Sequence, residues 1–278
     1  MSGKDYVMNQ NDFQQLVPFF RTAWGTVVLK FLMKVVGVAD INELYAHSCE
    51  KKGAEFTASL LRELQVSYTV DNREILEQLP ADGKFITISN HPYGALDGII
   101  LIDLMASVRS DYRVVVNKIL ENVESMADNF IGVTPPSGDL QNDRSSVLGL
   151  KVAMRHIKDG HSLGFFPSGA VAKYDYKLHV REQPWQQTVI RFIQQIKVPV
   201  IPIYFHGHNS SLYNLIGLIS WRLRSLRLPK EIFNKKNKTI RVSVGKQIEP
   251  DDLKQFSDIA DLTEFLRMRT FEAGRQCV

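Results

Sequence analysis

The stretch "ISNHPYGALDG", residues 88–98, sets His91 six positions before Asp97. An aspartate that accepts a hydrogen bond from one ring nitrogen of a histidine fixes its tautomer and stabilises the imidazolium, leaving the other nitrogen as a general base near neutral pH. Such a pair has no nucleophile of its own, so the hydroxyl it activates must come from a substrate. On one regular helix, residues six apart are rotated by roughly 240° after a full turn is removed and cannot face each other. Pro92, with its fixed φ, and Gly94, free to take a positive one, allow the connection to fold back instead. A plainer reading stands beside this: Asp97 caps the helix that follows, and His91 bonds a loop carbonyl.

The elements around the pair place it. "KFITIS" (84–89) reads as a strand and "DGIILIDLMASV" (97–108) as a helix, so the pair lies beyond a strand's carboxyl end, where functional groups of parallel α/β sheets gather. Further strands are predicted at "YRVVVN" (112–117), "IGVT" (131–134), "SLGFF" (162–166), "VPVIPIYF" (198–205) and "TIRVSVG" (239–245). Between them, Val147, Leu150, Met154 and Ile157, with Gly160 just beyond, and Trp185, Val189, Phe192 and Ile196 follow helical steps. The fold class expected is therefore α/β, a mostly parallel sheet flanked by helices, with an N-terminal helical region. The division expected is residues 1–70 for that region and 71–278 for the α/β domain. Within the first part, "DINELYAHSCEKKGAEFTASLLRELQV" from residue 40 reads as one helix with Asp40 as its N-cap.

Composition limits the function classes. With 278 residues, 44% of them hydrophobic, the chain can bury a full core and is not disordered. A formal net charge of +4 suits anionic surfaces, acidic carrier proteins or anionic small molecules, and does not single out nucleic acid. Cys49 and Cys277 lack metal-ligand spacing and read as free thiols; with a polar N-terminal stretch unlike a signal peptide, they predict a cytoplasmic protein. Residues 16–38 are apolar, but Arg21, Lys30 and Lys34 interrupt them, whereas a spanning helix needs about 20 residues nearly free of charge. An amphipathic helix fits, packed on the core or lying on a membrane. Residues 211–228 allow the same two readings, with Leu212, Leu215, Ile216, Ile219 and Leu223 in helical steps and Arg222, Arg224 and Arg227 near the end.

"GFFPSGA" (164–170) and "KVPVIPIYFHG" (197–207) are two more strand-to-loop transitions that would converge on the first. Taken in order, Asn90-His91 through Asp97, Phe166-Pro167-Ser168-Gly169, and Val198-Pro199-Val200-Ile201-Pro202 resemble the blocks of the lysophospholipid acyltransferase superfamily: Asn-His-x4-Asp, Phe-Pro-Glu-Gly-Thr-Arg and Val-Pro-x-x-Pro. The resemblance covers residues from about 84 to 205. Five residues between His91 and Asp97, instead of four, resemble the branch of bacterial proteins named for hemolysins and the O-acyltransferases of ornithine and glycine lipids. Ser168 stands where the superfamily has glutamate, and Ala170-Val171 where it has Thr-Arg.

The resemblance implies an O-acyltransferase that moves a fatty acyl group from acyl-CoA or an acyl carrier protein to the hydroxyl of a lyso-lipid, peripheral on the inner face of the cell membrane. It implies His91 and Asp97 as catalytic residues and Asn90, Ser168 and Gly169 as substrate-binding ones. Lys118 and Arg144, which follow strand ends, can receive an anionic head group or stand as solvated charges. No cofactor or metal fingerprint is present. That arginine commonly serves the acceptor's phosphate, so its replacement by Val171 favours a lyso-aminolipid over lysophosphatidic acid. A serine hydrolase using Ser168 is the rival enzyme, although "FFPSGAV" lacks the glycines of a nucleophile elbow. A non-catalytic lipid-binding or membrane-surface protein is the rival outside enzymology.

Overall fold

A computed structural model of the chain describes residues 6–7, 9–11, 14, 18–79, 83–133 and 144–275. Among the described residues, helices α1 (Ala23–Val36), α2 (Val38–Ala46) and α3 (Gly53–Glu63) precede strand β1 (Ser67–Asp71) and the short helix α4 (Glu74–Glu77). Next come β2 (Ile86–Ser89), α5 (Ala95–Ala106), β3 (Arg113–Asn117), β4 (Phe130–Val133), α6 (Arg144–Lys158) and β5 (Leu163–Phe165). A small hairpin, β6 (Lys173–Tyr174) and β7 (Val180–Arg181), leads to α7 (Gln187–Ile196) and β8 (Val200–Phe205). The chain ends with α8 (Ser211–Ile219), α9 (Trp221–Arg227), β9 (Thr239–Val244), α10 (Pro250–Lys254) and α11 (Ile259–Ala273).

The main sheet has the order β1-β9-β8-β2-β5-β3-β4. Strands β8, β2, β5, β3 and β4 are parallel, β9 runs antiparallel to β8, and β1 is parallel to β9. The sheet is thus mostly parallel, and each of the six expected strands is in it. β2 is buried at every residue, because helices cover both faces. On one side, Phe56 and Leu60 of α3 and Ile100, Leu101 and Leu104 of α5 pack on the sheet; on the other, Ile157, Ile190, Ile193, Leu262 and Leu266 do so. Burial on both faces explains the unbroken apolar runs that betray these strands in the sequence. Pro202 sits inside β8, where proline is rare. Its carbonyl accepts from Gly245 N–H, just past the end of β9, so its missing donor falls where that ladder stops.

Three expectations need correction. Strand β1 begins at Ser67, inside the segment read as wholly helical; it is a half-exposed edge strand, too polar to announce itself. The long helix from residue 40 is two helices. Gly53 takes φ +53 at the start of α3, and Ser48 and Lys51 in the break both bond Ser59. Gly37, at φ +76, is the N-cap of α2, and Asp40 lies in its first turn. Cys49 is a free thiol, while Cys277 lies outside the described residues, as does Thr134 of the predicted fourth strand.

Gly164 in β5 lies under the Tyr112 side chain, whose hydroxyl meets Thr87 of β2, and an added Cβ would overlap that hydroxyl. Gly164→Ala should destabilise the fold by about 1–3 kcal/mol through overpacking, read as a lower midpoint in denaturant unfolding, with no change if Tyr112 can move aside.

Candidate active site

Because β8, β2 and β5 are parallel neighbours, the residues that follow them meet at one edge of the sheet. The meeting is fixed by hydrogen bonds. The Asn90 carboxamide donates to Phe205 C=O at 2.9 Å and accepts from Phe205 N–H at 2.7 Å, locking the end of β2 to the end of β8. Tyr93 Oη donates to the His206 carbonyl, and Asn209 Nδ2 donates to the Tyr93 carbonyl. From the third loop, Ala172 N–H donates to His91 C=O at 2.9 Å. Asn90, expected to bind substrate, therefore has its side chain occupied by main chain and is buried.

His91 and Asp97 come together: Nδ1 lies 2.9 Å from Oδ2, with the histidine side chain 18% exposed and the aspartate 0%. Asp97 is at the third position of α5, and the same Oδ2 accepts from the N–H groups of Tyr93 and Gly94, each at 2.9 Å. Gly94 takes φ +92 and ψ −123, open only to glycine, which turns the chain so that helix cap and imidazole reach one carboxylate. Asp97 thus caps the helix and at the same time lies within ion-pair distance of the imidazole. The imidazole stacks on Phe166, ring centroids 4.3 Å apart and 32° inclined, leaving Nε2 as the nitrogen not turned to Asp97.

The other expected site residues divide. Ser168 is buried beside the pair, its hydroxyl donating to Ala170 C=O at 3.0 Å. Gly169 takes φ +61 in the turn and donates its N–H to Phe166 C=O, so that N–H is not open to an oxyanion. Lys118 is exposed on the 3-10 turn after β3; Arg144 opens α6, and its side chain lies outside the described residues.

Two charged residues have roles here that sequence reading missed. Arg224 of α9 donates to the carbonyls of Val171 and Ala172, at 2.6 and 3.2 Å, so a guanidinium stands beside the position where one is missing from the motif. Arg181, in contrast, pairs with Asp175. Glu182 Oε2 accepts from His91 N–H at 3.2 Å. Burial, with the nearby Asp97 charge, pushes the Glu182 carboxyl above its usual range, against the hydrogen bonds and the His91 charge that pull it down. Glu182 belongs to no pattern that could mark it, whereas Arg224 stands in the basic cluster at the end of residues 211–228 and turns inward to these carbonyls instead of outward to a surface. A surface hollow of about 680 Å³, lined by Lys51, Glu55, Arg62, Tyr68 and Asp103, does not include the pair.

A family model described as Acyltransferase matches residues 15–275. The chain belongs to this acyltransferase family. It is 27% identical over 228 residues to the lyso-glycine lipid O-acyltransferase of Bacteroides thetaiotaomicron, covering 80% of each chain. It is 25% identical, again over 228 residues, to the protein of that name from Phocaeicola vulgatus, covering 80% of this chain and 78% of the relative. The crystal structure of the 1-acyl-sn-glycerophosphate (LPA) acyltransferase PlsC from Thermotoga maritima shares the fold, with a TM-score of 0.51 at 15% identity over 96% of this chain and 93% of that one. Together these place the acyltransferase in the lysophospholipid acyltransferase superfamily. The non-catalytic reading falls with the family.

No described helix of the acyltransferase is long and apolar enough to cross a membrane. The two apolar segments are nevertheless not core helices. In α1 only Gly25 and Leu29 are buried, while Trp24 is 80% and Phe31 66% exposed. The second segment is not one helix, for Ser220 breaks it and caps α9. Ile219 and Trp221 flank the break at 84% and 70% exposure. Helix α1 packs against α9, so the two exposed apolar faces adjoin.

Asn90→Ala in the acyltransferase strands both polar groups of Phe205 at a buried strand end. A cost of about 2–4 kcal/mol is expected, on the usual penalty for each unsatisfied group. Chemical denaturation reads it, and an unshifted midpoint would mean the loops are held together otherwise.

Proposed function

We propose that this acyltransferase moves a fatty acyl group from an acyl thioester to the hydroxyl of a lyso-aminolipid at a membrane surface, with His91 as general base. The observation that carries the reading is the 2.9 Å approach of His91 Nδ1 to the fully buried Asp97 carboxylate, which leaves Nε2 for the substrate. Nε2 takes the proton of the acceptor hydroxyl, whose oxygen attacks the thioester carbonyl. As the tetrahedral intermediate collapses, the carbon–sulfur bond breaks and the leaving thiolate recovers the proton from the imidazolium. Asp97 orients the ring and balances its charge. With Gly169 N–H committed, the Ser168 and Ala170 N–H groups are the oxyanion donors this loop can offer.

Support for the acceptor class comes from the two relatives named lyso-glycine lipid O-acyltransferase. The lysophosphatidic acid reading stays in the test because Arg224 brings a guanidinium to the Val171 loop. The hydrolase reading has little to draw on: the Ser168 proton goes to a carbonyl, not to a histidine. Either acyl-CoA or an acyl carrier protein serves as donor.

With one acyl donor, N-acyl glycine and N-acyl ornithine lipids bearing a hydroxyl should be acylated, and lysophosphatidic acid should not. Acylation of the phosphate lipid alone would return the enzyme to phospholipid synthesis. His91→Ala should lower turnover by roughly 10²- to 10⁴-fold, the usual share of a positioned general base. Ser168→Ala should cost less, and a trapped acyl-serine would refute direct transfer.

The adjoining apolar faces of α1 and α8–α9 support peripheral attachment, on the inner face of the cell membrane, through residues 16–38 and 211–228. Arg21, Lys30, Lys34 and Arg222 are exposed around them. The protein should float with anionic vesicles at low salt, and Trp24→Glu combined with Trp221→Glu should release most of it. Wild-type protein left at the bottom of the gradient would sink the idea.

A further inference from the structure

His91 has a second carboxylate beside it. Glu182 lies between β7 and α7, half-buried as a residue, with Oε1 enclosed and without a hydrogen bond from the protein, while Oε2 accepts from His91 N–H. Its neighbours fix it from both sides: Arg181 pairs with Asp175, and Trp185 is buried in the core. An ionised carboxylate enclosed in this way is costly unless a positive charge faces it. Two charges bear on Glu182: that of His91, which favours its ionised form, and that of Asp97, which opposes it. The Ser168 hydroxyl also lies near enough to favour the ionised form. A positive charge is therefore available to Glu182 when the imidazole is protonated, the state that general-base catalysis creates.

We propose that Glu182 is a positioning residue of the acyl-transfer reaction, clamping the His91 main chain to the segment between β7 and α7 and stabilising the imidazolium with its charge. The inference rests on His91 being the general base. The clamp is visible in the main chain of His91, both of whose polar groups are taken from across the cleft: the N–H by Glu182 and the C=O by Ala172 N–H. The groups around the imidazole are few. Asp97 faces it from α5, and Glu182, on the segment before α7, meets the His91 N–H; Tyr93 and Ser168 lie on the two loops. Lys235 lies over the Tyr93 ring and feels the Asp97 charge, and Arg224 reaches the carbonyls of Val171 and Ala172. Tyr204 of β8 feels the Glu182 charge.

The test is the pH profile of kcat/KM. Removing a negative charge beside an imidazole makes its proton easier to lose, so the base form persists to lower pH. Glu182→Gln keeps the shape and an acceptor oxygen for His91 N–H but loses the charge. It should unfold at the wild-type temperature, lose roughly tenfold in kcat with little change in KM, and move the acid limb of the profile down by about half to one pH unit. Ser168→Ala, which changes no charge, should leave the limb in place. Glu182→Asp should keep the limb while losing part of the rate, because it shortens the clamp and retains the charge.

An unmoved limb in a folded Glu182→Gln enzyme would overturn the proposal, whatever its rate. Should that variant fail to fold, Glu182→Asp decides: a lowered kcat with the limb in place would sustain the proposal, and a shifted limb or a wild-type kcat would overturn it. His91→Ala separates the two levels. Full activity without the histidine refutes the general-base assignment; loss of activity there with an unmoved limb in Glu182→Gln refutes the role of Glu182 alone.

Discussion

A wholly enclosed carboxylate at the head of a helix governs this end of the molecule. Burying an ion costs several kcal/mol even after relaxation, and Asp97 has no exposed surface at all. Its compensation is local: two main-chain N–H groups, the positive end of a helix, and the imidazole of His91. Every partner depends on the reversal at Gly94. The turn, the start of α5 and the direction of the histidine are consequently one feature, and none of them can be altered without exposing or orphaning the carboxylate.

The same logic explains why the surrounding loops are so heavily tied. The role proposed for His91 requires its ring to hold its place, and the loop from Asn90 to Gly94 has no regular secondary structure to hold it. The structure substitutes side chains for a ladder: Asn90 continues the pairing of β2 with β8 beyond the last strand residue, and Tyr93 and Asn209 tie the next turn. Residues beyond the carboxyl ends of three adjacent strands thus behave as an extension of the sheet.

What was legible in the sequence follows from how the information is encoded. Strands buried on both faces show as continuous apolar runs, and helices on their flanks show as periods, so β2 to β5, β8, β9, α6 and α7 could be read from pattern. His91 and Asp97 were legible because both lie within one short connection. Strand β1 was not, since an edge strand needs little apolar character. The breaks at Gly53 and Ser220 interrupt patterns that run on through them, and only packing shows where the chain turns. The roles of Glu182 and Arg224 were illegible for a different reason: they are set by contacts across 91 and 53 residues of sequence, and within its own neighbourhood Arg224 reads only as one of a cluster of surface cations.

Arg224 ties the outer face to the inner one. Gly217 leaves room for its side chain, since a Cβ there would collide with it, and the guanidinium lies over Tyr213 before reaching Val171 and Ala172. Ala172 in turn donates to His91. The helix that exposes Trp221 and Leu223 is therefore two hydrogen bonds from the main chain of His91. A site so near an apolar surface has little need of a deep cavity of its own. If the acceptor rests in an interface with its hydroxyl at the polar boundary, the protein must supply only a fixed Nε2, a few oxyanion donors and a path for the thioester. Of these, the three loops bring to the edge of the sheet an imidazole held at both main-chain groups and backed by Asp97 and Phe166.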